Sequence, residues 1–163
     1  MAKTKGGQGT PATVALTKAG AEFTLHPYEH DANAQAYGEE AADALGVPYE
    51  RIFKTLVAET EAGLAVAVVP VAGKLDLKAF AAALKGKKAA MAEAAKVERV
   101  TGYVVGGISP LGQRKRLPTV VDASALAFGT IYFSAGRRGL QIETAPGNLV
   151  TLTGAITAEI AKL

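Results

Sequence analysis

The stretch that most constrains the fold is residues 64–71, LAVAVVPV, an apolar run with no charged or hydroxyl side chain in it. Alternation of apolar and polar residues would mark a strand with one wet face, whereas an unbroken run marks a strand buried on both. The segment is therefore expected to be a central strand, and the rest of the chain has to cover it. Extended to residue 72, the run is interrupted by Pro70 and falls well short of the roughly 20 apolar residues that span a bilayer. It establishes a core and carries no chemistry.

The chain has 163 residues, 49% of them hydrophobic, which is enough for one domain with its own core. It contains no cysteine, so disulfides, cysteine-ligated zinc and a protein thiol nucleophile are all excluded. Any thiol chemistry must come from the substrate. The opening residues, MAKTKGGQGT, lack the apolar core of a signal peptide, and residues 1–9 read as a disordered tail. A soluble cytoplasmic protein is the expectation. Net charge of +3 and a pI near 9.1 permit a nucleic-acid or other anionic partner without requiring one.

Thr10 followed by Pro11 reads as a helix start, with the helix running to about Gly20. Phe23 and Leu25 alternate with polar neighbours as in a half-buried strand, which delivers the segment HPYEH, residues 26–30, to a loop. Residues 37–45 form a second expected helix, stopped by Gly46 and Pro48. Residues 52–58, IFKTLVA, read as a strand. Asp76 caps a helix whose Leu77, Phe80, Ala81 and Leu84 share one face, closed by Gly86. Residues 89–100 are alanine-rich and read as a helix with Met91, Ala95 and Val97 facing inward. Strands are expected at 117–122, 130–134 and 140–144, the last two joined by a glycine-flanked hairpin loop. Residues 149–152 read as a short strand and 155–163 as a closing helix, with Ile156 and Ile160 four apart. The sum is an α+β domain over residues 10–163 with a mixed, curved sheet flanked by helices.

Candidate site residues fall in three places. Lys54 stands in an apolar strand beside Phe53, where it either points to solvent from a one-sided sheet or lines a pocket and neutralises an anion. Residues 101–118, TGYVVGGISPLGQRKRLP, combine the adjacent Gly106 and Gly107 with Pro110, Gly112 and the cations Arg114, Lys115 and Arg116. Glycine lets a loop bring bare N–H groups close to a ligand, although such a loop also serves as an ordinary strand connection. Lys85, Lys87 and Lys88 either complement a helix terminus or contact phosphates, and Arg137 and Arg138 either solvate a turn or do the same.

Familiar catalytic sets are missing. The two histidines, His26 and His30, are separated by Pro27, which argues against a shared helical face and hence against a metal site. No serine stands in a G-x-S-x-G elbow, and the residues 106–110 fit neither a Walker loop nor a dinucleotide fingerprint. No cofactor is expected. What remains is a lysine, a glycine loop with backbone donors and scattered cations, a set suited to recognising an anion and polarising a carbonyl.

Three motifs in order, IFKTLV around Lys54, KVERVTGYVVGGISPLG over residues 96–112 and FSAGRRGLQIE over 133–143, resemble the YbaK family of aminoacyl-tRNA editing domains. The resemblance covers nearly the whole chain, and its nearest members are free-standing bacterial deacylases of Cys-tRNA(Pro). It implies a barrel-like mixed sheet with a pocket for the 3′ aminoacyl-adenosine and cleavage assisted by the substrate thiol. It also implies tRNA as partner and an association with prolyl-tRNA synthetase. Lys54 resembles the family's key lysine, with Phe53 beside it, and Gly106, Gly107, Ile108, Ser109 and Pro110 match its G-x-x-P loop, expected to hold the aminoacyl group. Tyr28 and Ser134 resemble pocket-lining residues. Gln141 departs from the aspartate expected there. Lys87, Lys88, Arg114, Lys115, Arg116, Arg137 and Arg138 are candidate tRNA contacts. Two alternatives stay open: a water-based deacylase of Ala-tRNA(Pro) or another small aminoacyl-tRNA, and a non-catalytic module binding tRNA or a synthetase.

Overall fold

The computed structural model describes residues 9–31, 33 and 36–163. Of the expected N-terminal tail, residues 1–8 lie outside the described residues. Thr10 caps the first helix, α1 (Pro11–Lys18), through a reciprocal pair of bonds with Thr13, and Pro11 occupies the first turn, where no donor is needed. There follow β1 (Phe23–Pro27), α2 (Tyr37–Leu45), β2 (Phe53–Thr60), β3 (Gly63–Pro70), β4 (Lys74–Leu75) and α3 (Leu77–Ala83). Next come β5 (Ala89–Met91), α4 (Ala94–Thr101), β6 (Thr119–Asp122) and a 3-10 turn (Ala123–Ala127). The chain closes with β7 (Ile131–Arg137), β8 (Leu140–Thr144), α5 (Pro146–Thr153), β9 (Ile156–Ala158) and β10 (Ala161–Lys162). No helix among the described residues is long and apolar enough to cross a membrane.

The apolar run becomes β3, the middle of a five-stranded mixed sheet ordered β5-β2-β3-β6-β9. Both its faces are covered, as its sequence requires. Val66 and Val68 pack into one core with Phe53, Ile131 and Phe133, while Ala65, Ala67 and Val69 pack into a second with Phe80, Val120 and Ile160. The alternation of the strand thus separates two hydrophobic layers. A three-stranded antiparallel sheet, β1-β8-β7, packs beside the first, and β10 pairs with β4 in a short ribbon. The expected α+β class with flanking helices is what forms, but the strands divide among three sheets and do not close into a barrel.

Two segments differ from expectation. Residues 89–100 are not one helix: β5 pairs with the end of β2, and the helix begins only at Ala94. Val97 is buried as expected, but Met91 is half exposed on the strand and Ala95 is exposed. At the C-terminus the assignments exchange places. Residues 146–153 are helical, begun by Pro146 and ended by Gly154 in the left-handed region, signals that outweigh the strand propensity of LVTL. Residues 156–162 are extended because the Asp122 carboxylate accepts from the N–H groups of Ile160 and Ala161, at 2.9 and 3.0 Å, holding them beside β6. Tertiary capture overrides the helical spacing of the two isoleucines.

The two larger sheets are joined at one polar cluster. The Tyr132 N–H donates to the Arg51 carbonyl at 3.1 Å, and the Arg51 guanidinium donates to the Thr130 carbonyl at 2.9 Å and to the Glu143 carboxylate at 3.4 Å. Glu143 also accepts from the Thr130 hydroxyl at 2.6 Å and pairs with His26 at 2.8 Å. Partial burial alone would raise the Glu143 pKa, but the hydrogen bonds from Thr130 and His26 outweigh it and hold the carboxyl below its ordinary range. A carboxyl depressed in the folded state stabilises the fold above its unfolded pKa and loses that effect as pH falls through the folded value. Replacing Glu143 with Ala is expected to cost about 1–3 kcal/mol at neutral pH, with the deficit shrinking in acid. Urea unfolding of both proteins across that pH range checks it.

Candidate active site

Between the two larger sheets, roofed by α4 and the loop that follows it, lies a cavity of about 390 Å³. β2 forms its floor, contributing Phe53, Lys54, Thr55, Leu56 and Val57; β7 and β8 supply Ser134 and Gln141, and Tyr28 enters from the loop after β1. Most of the lining is apolar, with a few convergent polar groups, the composition of a small-ligand site. Lys54 is the one cation lining it among the described residues, and no described carboxylate reaches salt-bridge distance of its ammonium. Two polar atoms at the wall, Thr55 Oγ1 and Gln141 Oε1, are buried without a hydrogen-bond partner among the described residues. Each such orphan costs about 1–3 kcal/mol until something supplies a partner. Burial pushes the Tyr28 hydroxyl above its ordinary pKa, partly opposed by the Gly139 backbone and the Gln141 amide, so at neutral pH it remains a neutral donor.

The loop over the cavity is held from several sides. The Val105 N–H donates to Glu98 at 2.9 Å, and the buried Tyr103 hydroxyl spans the loop to donate to the Leu111 carbonyl at 2.6 Å. Burial raises the Tyr103 pKa to about 12, which keeps that donor protonated. Gly107 lies directly on the β7–β8 turn: a Cβ there would sit 2.8–2.9 Å from backbone atoms of Arg137 and Arg138, which cannot move aside. Gly106 adopts φ +93°, and a Cβ there would meet the Arg138 Nε at 2.5 Å and the Tyr37 ring at 3.0 Å. Gly107 is thus dictated by close approach to backbone, and Gly106 by its positive φ. Arg138 completes the clamp, donating to the Val105 carbonyl at 2.6 Å while its guanidinium lies 4.5 Å from the Tyr37 ring centroid.

A family model described as the aminoacyl-tRNA editing domain matches residues 31–152 of this chain. The chain belongs to the aminoacyl-tRNA editing domain family. A relative in Enterococcus faecalis, bearing the name "Putative Cys-tRNA(Pro)/Cys-tRNA(Cys) deacylase EbsC", is 44% identical over 123 residues, 75% of each chain. The crystal structure described as a "putative trans-editing enzyme for prolyl tRNA synthetase" superposes with a TM-score of 0.84 at 25% identity, covering 98% of this chain and 100% of that one. A crystal structure of a hypothetical protein gives the same TM-score, 0.84, at 29% identity over 94% of this chain and 100% of its own.

In this editing domain the structure brings Tyr28, Phe53, Lys54, Gly106, Ile108, Ser134 and Gln141 to one cavity, although they come from five separate segments. Other expected residues lie elsewhere. The Gly107 N–H donates to the Val104 carbonyl at 2.8 Å and Gly107 does not line the cavity, whereas Gly106 and Ile108 do, and their N–H groups have no acceptor among the described residues. Ser109 and Pro110 are buried behind the loop, the serine accepting from the Leu111 N–H at 3.3 Å. Arg114 folds back to donate to the Arg99 carbonyl at the end of α4, and Arg138 is engaged in the loop clamp. The Lys87 and Lys88 side chains are exposed in a shallow depression shared with Glu59 and Glu61. Thr55, Tyr37, Val97 and Val105 also line the cavity without having been singled out in the sequence. Thr55 had a local signal, its place next to Lys54; Tyr37 and Val105 reach the site only through the folded loop.

Because the obstacle at Gly107 is backbone on backbone, Gly107→Ala is expected to displace the loop at a cost of at least about 1–3 kcal/mol. Faster hydrogen exchange at Val105 to Ile108, with little change in β2 or β3, would report that displacement.

Proposed function

We propose that this editing domain deacylates mischarged tRNA, most readily Cys-tRNA(Pro), with the substrate's own thiol as nucleophile. The observation that carries the reading is the content of the cavity. Among the described residues Lys54 has no ion-pair partner, Gly106 and Ile108 line the same cavity, and the lining contains neither cysteine nor histidine. His26 and His30 are paired with Glu143 and Glu40 outside it, at 2.8 and 2.7 Å. Such a site binds and orients but supplies no strong protein nucleophile of its own.

In the reaction we infer, the 3′-terminal adenosine lies over β2 with its phosphate or ribose held by Lys54, and the aminoacyl ester points toward the loop. The Gly106 and Ile108 N–H groups stabilise the oxyanion that develops on the ester carbonyl. The cysteine sulfur attacks that carbon, the C–S bond forms, and the C–O bond to the ribose breaks. The thiol proton ends on the departing ribose hydroxyl, leaving uncharged tRNA and a cyclic thioester that water opens to cysteine. Proximity supplies much of the acceleration, since sulfur and carbonyl are held in one small apolar space. The Gln141 side-chain amide, which lines the cavity, is assigned as the acceptor for the substrate's ammonium. An amide oxygen does so without a full charge, which supports recognition of a small amino acid by fit and hydrogen bonding more than by ion pairing. Action in trans beside prolyl-tRNA synthetase fits the same reading.

Lys54→Ala is expected to reduce kcat/KM for Cys-tRNA(Pro) by at least about 100-fold, the scale of losing an anchoring charge-assisted contact of about 3 kcal/mol. Single-turnover deacylation of purified Cys-tRNA(Pro) measures it, and undiminished activity would sink the assignment.

A further inference from the structure

A second cavity, of about 600 Å³, lies on the other side of α4 and is lined by Lys85, Lys96, Lys115 and Arg116, with Glu61 the one carboxylate among its described lining residues. α4 is the wall between the two cavities: Ala94 and Val97 face the first, Lys96 and Val100 the second. β2 runs beneath both, with Lys54 at the first and Thr60 at the second, a separation of about 20 Å at strand spacing.

The four cations come from three distant segments, and the fold fastens the segment that carries Lys115 and Arg116. The Lys115 N–H donates to the Val100 carbonyl at 3.2 Å and the Arg114 N–H to the Thr101 carbonyl at 2.8 Å, so the basic run is fastened to the end of α4. Lys96 pairs with Glu59. Glu61 is turned toward the backbone of the next segment, accepting from the N–H groups of Lys87 and Lys88, which lowers its pKa and offsets its charge. Lys85 is the informative member. It has φ +62° at the position after α3 where glycine is ordinarily favoured, the one non-glycine in that region among the described residues. A bulky cation kept where glycine would be less strained points to a task for the cation.

We propose that this groove binds the ribose-phosphate backbone of the tRNA whose 3′ end occupies the first cavity. The inference rests on the editing reading above. Four cations drawn from three segments to line a cavity of about 600 Å³ suit successive phosphates of a strand better than a single small anion. They also lie directly across α4 from the first cavity. The groove, with the newly assigned Lys85, thereby takes the role from Arg114 and Arg138, whose side chains are engaged within the protein, as that of Lys96 is with Glu59.

The test measures binding of uncharged tRNA to the full chain across a salt series, together with deacylation of Cys-tRNA(Pro) and of a short cysteinyl-adenosine ester. Lys115→Glu is expected to weaken tRNA binding several-fold and make the plot of log K against log salt shallower by about 0.7–0.9. It is also expected to lower kcat/KM for the tRNA more than for the short ester. Lys85→Gly is expected to weaken tRNA binding while the melting temperature stays level or rises, which separates lost contact from lost folding. Lys74→Glu, the same charge change on β4 and outside the groove's lining, serves as control and is expected to leave the salt slope as it was. Unchanged affinity and slope in both groove variants, or an equal loss in the control, would overturn the groove. Salt-sensitive binding through the groove with no deacylation of either ester by the wild-type protein would leave the groove standing and overturn the editing chemistry instead.

Discussion

Backbone-on-backbone contact between Gly107 and the Arg137–Arg138 turn decides where this protein has a site. Once residue 107 is pressed against β7–β8, the loop after α4 has to cross over β2, and a cavity is enclosed between them. The Tyr103 hydroxyl, the Glu98 carboxylate and the Arg138 guanidinium then fix that loop with hydrogen bonds of 2.6–2.9 Å to its backbone. A recognition surface built from N–H groups is only as precise as the backbone that carries them, so most of the local sequence serves positioning. Three of the residues most visible in it, Gly107, Ser109 and Pro110, support the loop from behind.

The same architecture explains why so few chemical groups are needed. β3 is buried on both faces and ties the floor strand β2 into a rigid sheet, so Lys54 stands at a fixed height opposite the loop. Two polar atoms of lining residues, Thr55 Oγ1 and Gln141 Oε1, are buried without partners among the described residues. Buried polar atoms left unsatisfied lower the stability of the empty protein and favour a ligand that completes them. In the reaction proposed above, these elements bind and orient the ester and stabilise the oxyanion, and the bond-making atom comes from the substrate.

Much of this was legible in the sequence, and the reasons are specific. An apolar run with no polar interruption fits a two-faced strand, Thr10-Pro11 and Asp76 are strong caps, and Lys54 among apolar neighbours had to face either solvent or a pocket. The gathering of Tyr28, Lys54, Gly106, Ser134 and Gln141 was indicated by the family motifs. What could not be read was decided by tertiary contacts. The C-terminal segment is extended because Asp122, about 40 residues earlier, captures its N–H groups. Arg138 and Arg114 looked like solvent-exposed cations, but their partners, the carbonyls of Val105 and Arg99, are brought to them only by folding. The Gly107 N–H likewise closes a local turn that its sequence does not reveal.

The central claim is that the substrate, not the protein, provides the nucleophile. Its most direct test compares deacylation of one tRNA(Pro) carrying either cysteine or serine by the wild-type protein under single-turnover conditions. Oxygen for sulfur changes little in size but replaces a good nucleophile with a poor one. The account predicts rapid release of cysteine with serine retained near the uncatalysed rate. Comparable rates for the two esters would contradict it and require an activated water in place of the thiol.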